Sequence, residues 1–477
     1  MLYYFHSQKI VQEYDMIQTY TTPQKIRQLI FILAPILITQ LGIYSMTFFD
    51  IMMAGKYRTT DVAGVSIGSS LWMPVYTGIS GILLALTPII SQKLGAKDTK
   101  SIPHSVIQAL YLGLVMAAVV MFIGSIVLNP ILELMNLEQS VHNIAHDYLV
   151  ALSFGMIPLF LYNVLRSFID SLGQTRISMF ITLLALPINV LFNYLLIYGK
   201  WGFPELGGVG SGYATAITYW VIMVIAILTI VKVQPFAGYN LFSKLYRVAW
   251  KEWRELLMIG LPIGLTIFFE TSIFAAVTLF MSNYNTLTIA SHQIAMNFAS
   301  FLYMIPLSIS TGLTIVVGFE AGAKRYKDAR IYSILGISGA IGLSLLCASV
   351  VFFFREQIAS IYSVDSDVIQ LTAHFLLYAT FFQLSDALQA PIQGILRGYK
   401  DVTISFFMSF ISYWIIGLPM GILLSKYSSL GPFGYWIGLI AGLAIGAVGL
   451  FIRLLYVQRS HDPKRIQHQK KTKNLLI

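Results

Sequence analysis

Three acidic residues lie inside long apolar stretches of this 477-residue chain, where a charged side chain is costly. They are Asp50, Glu270 and Asp386, and no Lys or Arg falls in the central part of those stretches. An acidic side chain at the centre of a membrane-spanning helix costs about 2.5–3.5 kcal/mol, which makes each a candidate functional residue. A carboxyl kept from water without a basic partner suits proton uptake and release, or it could bind a small hard cation such as Na⁺. The alternative without a transport role is a neutral acid that hydrogen-bonds between helices.

Neutral polar residues accompany each acid at helical spacing. Three glutamines share one helix face with Asp386: Gln383 lies three positions before it, Gln389 three positions after it and Gln393 seven positions after it. The other stripes and pairs are Gln40 and Thr47 with Asp50, Thr266 and Phe274 with Glu270, and Asn189 with Asn193. Polar stripes avoid lipid by facing a cavity or another helix, and for the two asparagines hydrogen bonding between helices is an equal alternative.

Aromatic side chains stand next to the two acids of the second half of the chain. They are Phe268, Phe269, Phe274, Phe381 and Phe382. Most aromatic residues in an apolar protein pack or face lipid, but those beside a carboxylate could hold a flat organic cation by stacking and cation–π attraction. We therefore group them with the polar stripes as candidate substrate-binding residues.

The elements that position these residues are predicted to be transmembrane helices. The chain is 57% hydrophobic and 11% charged, with a mean hydropathy of +0.73, which excludes a soluble enzyme, a disordered chain and a disulfide scaffold. A helix crosses a bilayer with about 20 mostly apolar residues. Twelve stretches qualify: 29–55, 62–91, 105–132, 148–170, 177–199, 208–232, 256–281, 289–318, 331–355, 368–395, 403–424 and 432–456. Residues 1–28 are polar and aromatic, so we expect no cleaved signal peptide.

Basic residues set the orientation of these spans. With the N-terminus in the cytoplasm, twelve spans return the C-terminus there, and almost all basic residues fall on the cytoplasmic side, where they favour anionic lipid. The exceptions among the 31 are Lys56, Arg58, Lys200, Arg355 and Lys426. This distribution accounts for the net charge of +10 without a nucleic-acid partner. The run of basic residues at 464–473 is interpreted as a solvated tail.

The two halves of the chain repeat at an offset of 227 residues. Residues 33–39 (LAPILIT) align with 260–266 (GLPIGLT), and 95–97 (GAK) with 322–324 (GAK). After a slip of four, 165–168 (LRSF) resembles 396–399 (LRGY). Six spans in each half preserve orientation, so the halves are predicted to be parallel repeats that expose a site near the midplane to each side in turn.

The predicted architecture is therefore an all-α polytopic membrane protein with two pseudo-symmetric six-helix lobes. Its parts are an N-terminal cytoplasmic segment (1–28), an N-lobe (29–232), a cytoplasmic linker (233–255), a C-lobe (256–456) and a basic cytoplasmic tail (457–477). Glycines at 434, 438, 442 and 446 predict close helix packing. No phosphate-binding Gly-Lys-Ser/Thr loop is present, so ATP is not the expected energy source.

Several stretches, in their order and spacing, resemble the MATE (multidrug and toxic compound extrusion) transporters, in particular the bacterial NorM-like branch. They are 48–55 (FFDIMMAG), 187–193 (PINVLFN), 198–210 (YGKWGFPELGGVG), 268–270 (FFE) and Asp386 followed by 394–401 (GILRGYKD). The resemblance covers about residues 25–455 and implies a pair of six-helix lobes that exports cationic, amphipathic drugs in exchange for Na⁺ or H⁺.

The resemblance also implies roles for individual residues. Asp50 with Asn189, Asn193 and Asp170 matches the cation site of the N-lobe, and Glu270 with Asp386 matches that of the C-lobe. Relatives can carry Tyr one turn before the C-lobe Asp, where this chain has Phe382. A hydroxyl ligand for a metal ion is missing there, whereas protonation is unaffected.

These observations predict a secondary antiporter of the bacterial cytoplasmic membrane, monomeric and without a cofactor beyond its coupling ion. A lipid-linked oligosaccharide flippase of related architecture is the first alternative, disfavoured because the central parts of the spans carry no basic residues for phosphates. A membrane-embedded enzyme is disfavoured because the sequence shows no metal-ligand set or nucleophile–base pair. A channel is the remaining alternative.

Overall fold

A computed structural model of the chain describes residue 16 and residues 18–135, 137–244 and 246–461. Residues 1–15 of the predicted N-terminal segment and residues 462–477 of the predicted basic tail lie outside this range. The described part contains helices and no strands: α1 Thr22–Tyr57, α2 Thr59–Gly95, α3 Thr99–Leu134, α4 Gln139–Ser153, α5 Met156–Ser171, α6 Thr175–Tyr198, α7 Gly208–Lys232, α8 Trp250–Met281, α9 Thr286–Gly322, α10 Tyr326–Tyr362, α11 Ser366–Gly398, α12 Thr403–Tyr427 and α13 Phe433–Ser460.

The prediction of an all-α membrane protein is confirmed. Eleven of the described helices are individually long and apolar enough to cross a bilayer, and α4 and α5 meet the same criterion together as one bent pair. The pair is bent by 50° at the break before Met156. Its first helix begins at Gln139, earlier than the predicted start at 148, because His142, His146 and Asp147 make its first turns too polar for an apolar-window criterion.

The first helix also begins earlier than predicted, at Thr22 rather than near residue 29. Its first turn carries Lys25, whose side chain is buried but forms an ion pair of 2.9 Å with Asp328 and donates to the carbonyl of Thr19 at 3.0 Å. A buried lysine needs such partners, since a charge removed from water is otherwise strongly unfavourable. These polar first turns explain why the hydropathy of the sequence placed the start of the helix too late.

The described chain divides into two compact units, and the divisions fall at other residues than the predicted linker 233–255. One unit contains Ala34–Gly264, and the other contains Thr19–Leu33 together with the chain from Leu265 onward. The contacts of the helix starts account for this. Lys25 of α1 pairs with Asp328 inside the second unit, whereas Glu252 of α8 accepts from Ser105 at 2.9 Å and lies 3.6 Å from Lys93 inside the first.

Glycines bring α12 and α13 together beside the second of the two candidate sites. A Cβ added at Gly438 would stand 2.5 Å from the carbonyl oxygen of Gly417, and one at Gly442 would stand 2.6 Å from that of Ser412. The predicted role of the glycine series in close packing is therefore confirmed. The facing part of α12, Ile411–Gly417, is a π-helical segment, a local widening that often accompanies functional residues.

Candidate functional site

The first candidate centre surrounds Asp50 of α1, in the first unit. The Asp50 side chain is buried, and its Oδ1 accepts a hydrogen bond from Nδ2 of Asn193 at 2.6 Å. Its Oδ2 accepts from the hydroxyl of Thr215 at 3.1 Å. Asn189 lies one turn before Asn193 on α6 and donates to Thr215 Oγ1 at 3.1 Å, while its own oxygen accepts from Asn193. The structure thus brings together Asp50, Asn189 and Asn193, as predicted, and adds Thr215 from α7.

A cavity that is partly open to solvent adjoins Asp50. Of the predicted polar stripe on α1, Thr47 lines this cavity, whereas Gln40 is half-buried and is not among the lining residues. The lining residues that sequence reasoning missed share a hydroxyl, amide or guanidinium group: Tyr76, Tyr162, Asn163, Arg166, Thr182, Thr215 and Tyr219.

Asp170 is not brought together with Asp50. Its carboxylate accepts a hydrogen bond from the hydroxyl of Ser178 and lies 3.4 Å from Nε of Arg166, one turn earlier on α5. Arg166, in contrast, does line the Asp50 cavity. The absence of Lys and Arg noted in the sequence concerns only the central parts of the spans, and Arg166 lies near the end of α5, from where it lines the cavity.

The second candidate centre, in the second unit, contains two acids that line one cavity. Glu270 of α8 and Asp386 of α11 are both buried. Glu270 Oε1 accepts from Nε2 of Gln393 at 2.6 Å and from Nε2 of Gln389 at 3.3 Å. Asp386 makes no hydrogen bond to the described part of the chain, and its Oδ2 is buried without a partner. The two carboxyls therefore differ: one faces donors and the other faces none.

The glutamine stripe on α11 is only partly at this centre. Gln389 also donates to the hydroxyl of Tyr413 at 3.1 Å, and Gln393 to that of Ser409 at 3.1 Å. Gln383 instead donates to the backbone carbonyl of Leu302 at 3.2 Å and does not line the cavity. Its role in the structure is a bond between α9 and α11.

Of the five predicted aromatic residues, some line the cavity and the others lie elsewhere. Phe274 and Phe382 line the cavity, with ring centroids 5.6 Å apart in an edge-to-face arrangement. Phe269 packs among rings of α12, and the indole of Trp414 donates to its carbonyl at 3.1 Å. Phe268 and Phe381 are exposed on the helix surface. Only two of the five aromatics are thus placed to touch a ligand beside the acids.

Tyr303 and Tyr413 were missed by sequence reasoning and bear on the absent hydroxyl at Phe382. Both line the same cavity as Glu270 and Asp386, together with Met296, Ser300 and Trp436. Hydroxyl groups therefore stand at this centre although position 382 lacks one. The π-helical segment that carries Tyr413 is the feature that could have indicated it, but that segment is not visible in the sequence.

The acids of both centres lack a basic partner within the described part of the chain. No Lys or Arg forms an ion pair with Asp50, Glu270 or Asp386 among the residues that the structure describes. Over the same residues, no group of three or more His, Cys, Asp or Glu side chains could hold a metal ion. Any cation at either centre would have at most two carboxylates, with hydroxyl, amide or carbonyl oxygens completing its ligands.

Comparisons with known proteins identify the family and the fold of the chain. The family model MatE matches residues 35–195 and 262–423, once in each half of the chain. A probable multidrug resistance protein NorM of Halalkalibacterium halodurans is 57% identical over 444 residues, which is 93% of this chain and 97% of that protein. The one of Bacillus subtilis is 57% identical over 450 residues, 94% of this chain and 100% of that protein. The structure of a multidrug resistance MATE family transporter in an outward-facing conformation superposes with a TM-score of 0.84, at 17% identity and over 94% and 100% of the two chains.

Proposed function

Because this chain belongs to the MatE family of membrane transporters, on its bacterial NorM-like branch, we propose that it is a secondary multidrug efflux transporter. It exports cationic, amphipathic compounds in exchange for Na⁺ or H⁺, by alternating access. The relatives named above carry the words multidrug resistance in their names, and most of each protein's length is shared with this chain. We place it in the cytoplasmic membrane as a lipid-embedded monomer, with both termini in the cytoplasm as the distribution of basic residues indicates.

The observation that carries the proposal is the pair of cavities with buried carboxyls that lack an ion-pair partner. Asp50 in the first unit and Glu270 with Asp386 in the second can each change charge by binding H⁺ or Na⁺. A charge change next to a cavity alters its affinity for an organic cation. Coupling then requires only that the drug and the ion prefer different conformations. One charge moving through 100 mV releases about 2.3 kcal/mol, enough for a near fifty-fold concentration ratio.

Aromatic and hydroxyl groups at the second cavity support an organic cation as substrate. Phe274, Phe382 and Trp436 present apolar rings, and Glu270 and Asp386 supply negative charge beside them. Rings and a carboxylate together favour a flat cation that is partly apolar. Arg166 at the first cavity does not favour a phosphate-bearing substrate, since Asp170 pairs with its guanidinium. The flippase alternative therefore gains no support from this arginine.

The test is ethidium transport by the purified protein in sealed proteoliposomes, with Na⁺ and pH gradients imposed separately. We expect transport to require at least one gradient. Asp50→Asn and Asp386→Asn should insert normally and lose gradient-driven transport, whereas the exposed control Asp147→Asn should keep it. Wild-type transport that persists without either gradient would refute the proposed energy source, and wild-type activity in both single variants would refute the role of the carboxyls.

A further inference from the structure

A buried arginine stands near the end of the helix that carries Asp386. Arg397 is 6% exposed and lies in the last turn of α11. Its Nη2 donates to Oε1 of Gln393 at 3.3 Å, and the described part of the chain offers it no carboxylate within ion-pair distance. Gln393 connects Arg397 to the second centre, since it also donates to Oε1 of Glu270 at 2.6 Å. A guanidinium in so dry a place affects its surroundings strongly, since charges interact more strongly at low dielectric.

The hydrogen bond from Arg397 fixes the orientation of the Gln393 amide. A guanidinium has only donors, so the Gln393 group that faces it must be the carbonyl oxygen. The NH₂ end of Gln393 then faces Glu270 at 2.6 Å and Ser409 at 3.1 Å. Glu270 thus meets a donor rather than an acceptor, which is the arrangement that suits a carboxylate anion.

The repeat explains why Arg397 is available for this. In the first unit, Arg166 is followed one turn later by Asp170, which pairs with it at 3.4 Å. The equivalent of Asp170 in the second unit is Asp401, four residues after Arg397. Asp401 is held instead by Arg453 of α13, through Nε at 2.7 Å and Nη2 at 3.1 Å. A two-point ion pair of this kind keeps the Asp401 carboxylate directed away from Arg397.

We infer that Arg397 is a positioning residue for the Glu270–Asp386 centre, which orients Gln393 and keeps Glu270 as the anion of the pair. The Asp401–Arg453 ion pair preserves this role, because it keeps Asp401, the equivalent of Asp170, from pairing with Arg397. This inference rests on the proposed transport function. It leaves Asp386, which receives no donor, as the carboxyl that exchanges the coupling ion. The titratable and charged groups around Glu270 are Tyr303 on α9, Asp386 and Arg397 on α11 and Tyr413 on α12.

The first part of the test is the pH profile of ethidium transport in proteoliposomes for Arg397→Gln and Arg397→Lys. Without the cation, the anionic form of Glu270 is less favoured, so the profile of Arg397→Gln should move to higher pH by about one unit. Arg397→Lys retains the charge and should stay nearer the wild-type profile. Arg355→Gln, which removes an arginine that donates to the Phe352 carbonyl, is the control and should leave the profile unchanged. A uniform loss of transport by Arg397→Gln with the wild-type profile would overturn the inference.

The second part is a cycle on Asp401 and Arg453, which leaves Arg397 in place. Arg453→Gln releases Asp401 to balance Arg397, so the profile should move in the same direction as in Arg397→Gln. Asp401→Asn alone should change little, and the double variant Arg453→Gln with Asp401→Asn should return to the wild-type profile. If the ion pair is only structural, the double variant will be as impaired as Arg453→Gln, which would overturn this part. Wild-type protein without gradient-driven transport would instead refute the proposed function itself.

Discussion

The two buried centres differ in how a nearby arginine is balanced. In the first unit, Arg166 lines the Asp50 cavity but has Asp170 as its own carboxylate. In the second unit, Arg397 has no carboxylate of its own and reaches Glu270 through Gln393. The first centre therefore contains one acid beside an arginine that has its own carboxylate. The second contains two acids beside an arginine that forms no ion pair within the described residues. Two sites from one repeat have thus diverged in how their charges are paired while keeping the same kinds of residue.

This difference bears on how each centre could couple binding of the ion to export of the drug. A single carboxyl with two donors can change between anion and neutral acid without affecting a second acid. Two buried carboxyls in one cavity cannot both be charged at low cost, so one of them must be held as the anion and the other exchanges. Arg397 and Gln393 determine which one is held. The first centre needs no such residue, which is consistent with the pairing of its arginine to Asp170.

The largest expected difference between the centres is the stability of two charge-removing variants. Glu270→Gln should leave Arg397 as a buried cation without an anion to balance it and lower the free energy of unfolding by about 1–3 kcal/mol. Asp50→Asn should change stability little, because Arg166 retains Asp170 and an amide can still accept from Asn193. The measurement is thermal unfolding of the purified proteins in detergent, followed by tryptophan fluorescence.

Glu133→Gln, on an exposed turn of α3, is the control for the loss of one acidic side chain and should unfold like the wild type. Equal unfolding temperatures for Glu270→Gln and Asp50→Asn would contradict the proposed difference between the centres.

An effect of intermediate size on the pH profile of transport is expected when Arg166 of the first centre loses its carboxylate partner. Asp170→Asn takes the carboxylate from Arg166 and leaves its charge to act on Asp50 across the shared cavity. The charged form of Asp50 is then favoured, so the pH profile of ethidium transport should move to lower pH, by roughly half a unit. This direction is opposite to that of Arg397→Gln. Ser178→Ala removes the hydrogen bond to Asp170 but not its charge and should leave the profile in place. A move to higher pH in Asp170→Asn would disprove the argument.

The sequence predicted the fold and the burial of the three acids, because apolar length and rare charges are strong signals. The spacing of Asn189 and Asn193 likewise predicted their shared face beside Asp50. Hydroxyl partners such as Thr215 could not be predicted, since most hydroxyls in these helices bond their own backbone, as Thr218 does to the carbonyl of Ala214. Nothing in the local pattern tells which one reaches across to another helix.

The sequence also could not predict which carboxylates pair with Arg166 and Arg397. Arg166 and Arg397 fall at the ends of predicted spans, where orientation counts treat them as loop charges. The pairing of Asp401 with Arg453 joins residues 52 positions apart in sequence, which no local spacing rule reports. The aromatic cluster was overestimated for a related reason. Neighbours in sequence point around a helix, so Phe269 and Phe381 leave the cavity that Phe274 and Phe382 line.

The smallest effect is expected at Phe382, where the resemblance to the family implied a missing hydroxyl. Phe382→Tyr adds one to a cavity that already contains Tyr303 and Tyr413. We expect Na⁺-driven ethidium transport to change by no more than about twofold, because a single further neutral ligand contributes little beside the carboxylates. The matched variant Tyr413→Phe removes a hydroxyl that accepts from Gln389 at 3.1 Å and should have the larger effect. If Phe382→Tyr instead creates a strong Na⁺ dependence that the wild type lacks, the hydroxyl at 382 decides the coupling ion, and the second centre is specified by that side chain rather than by its charge balance.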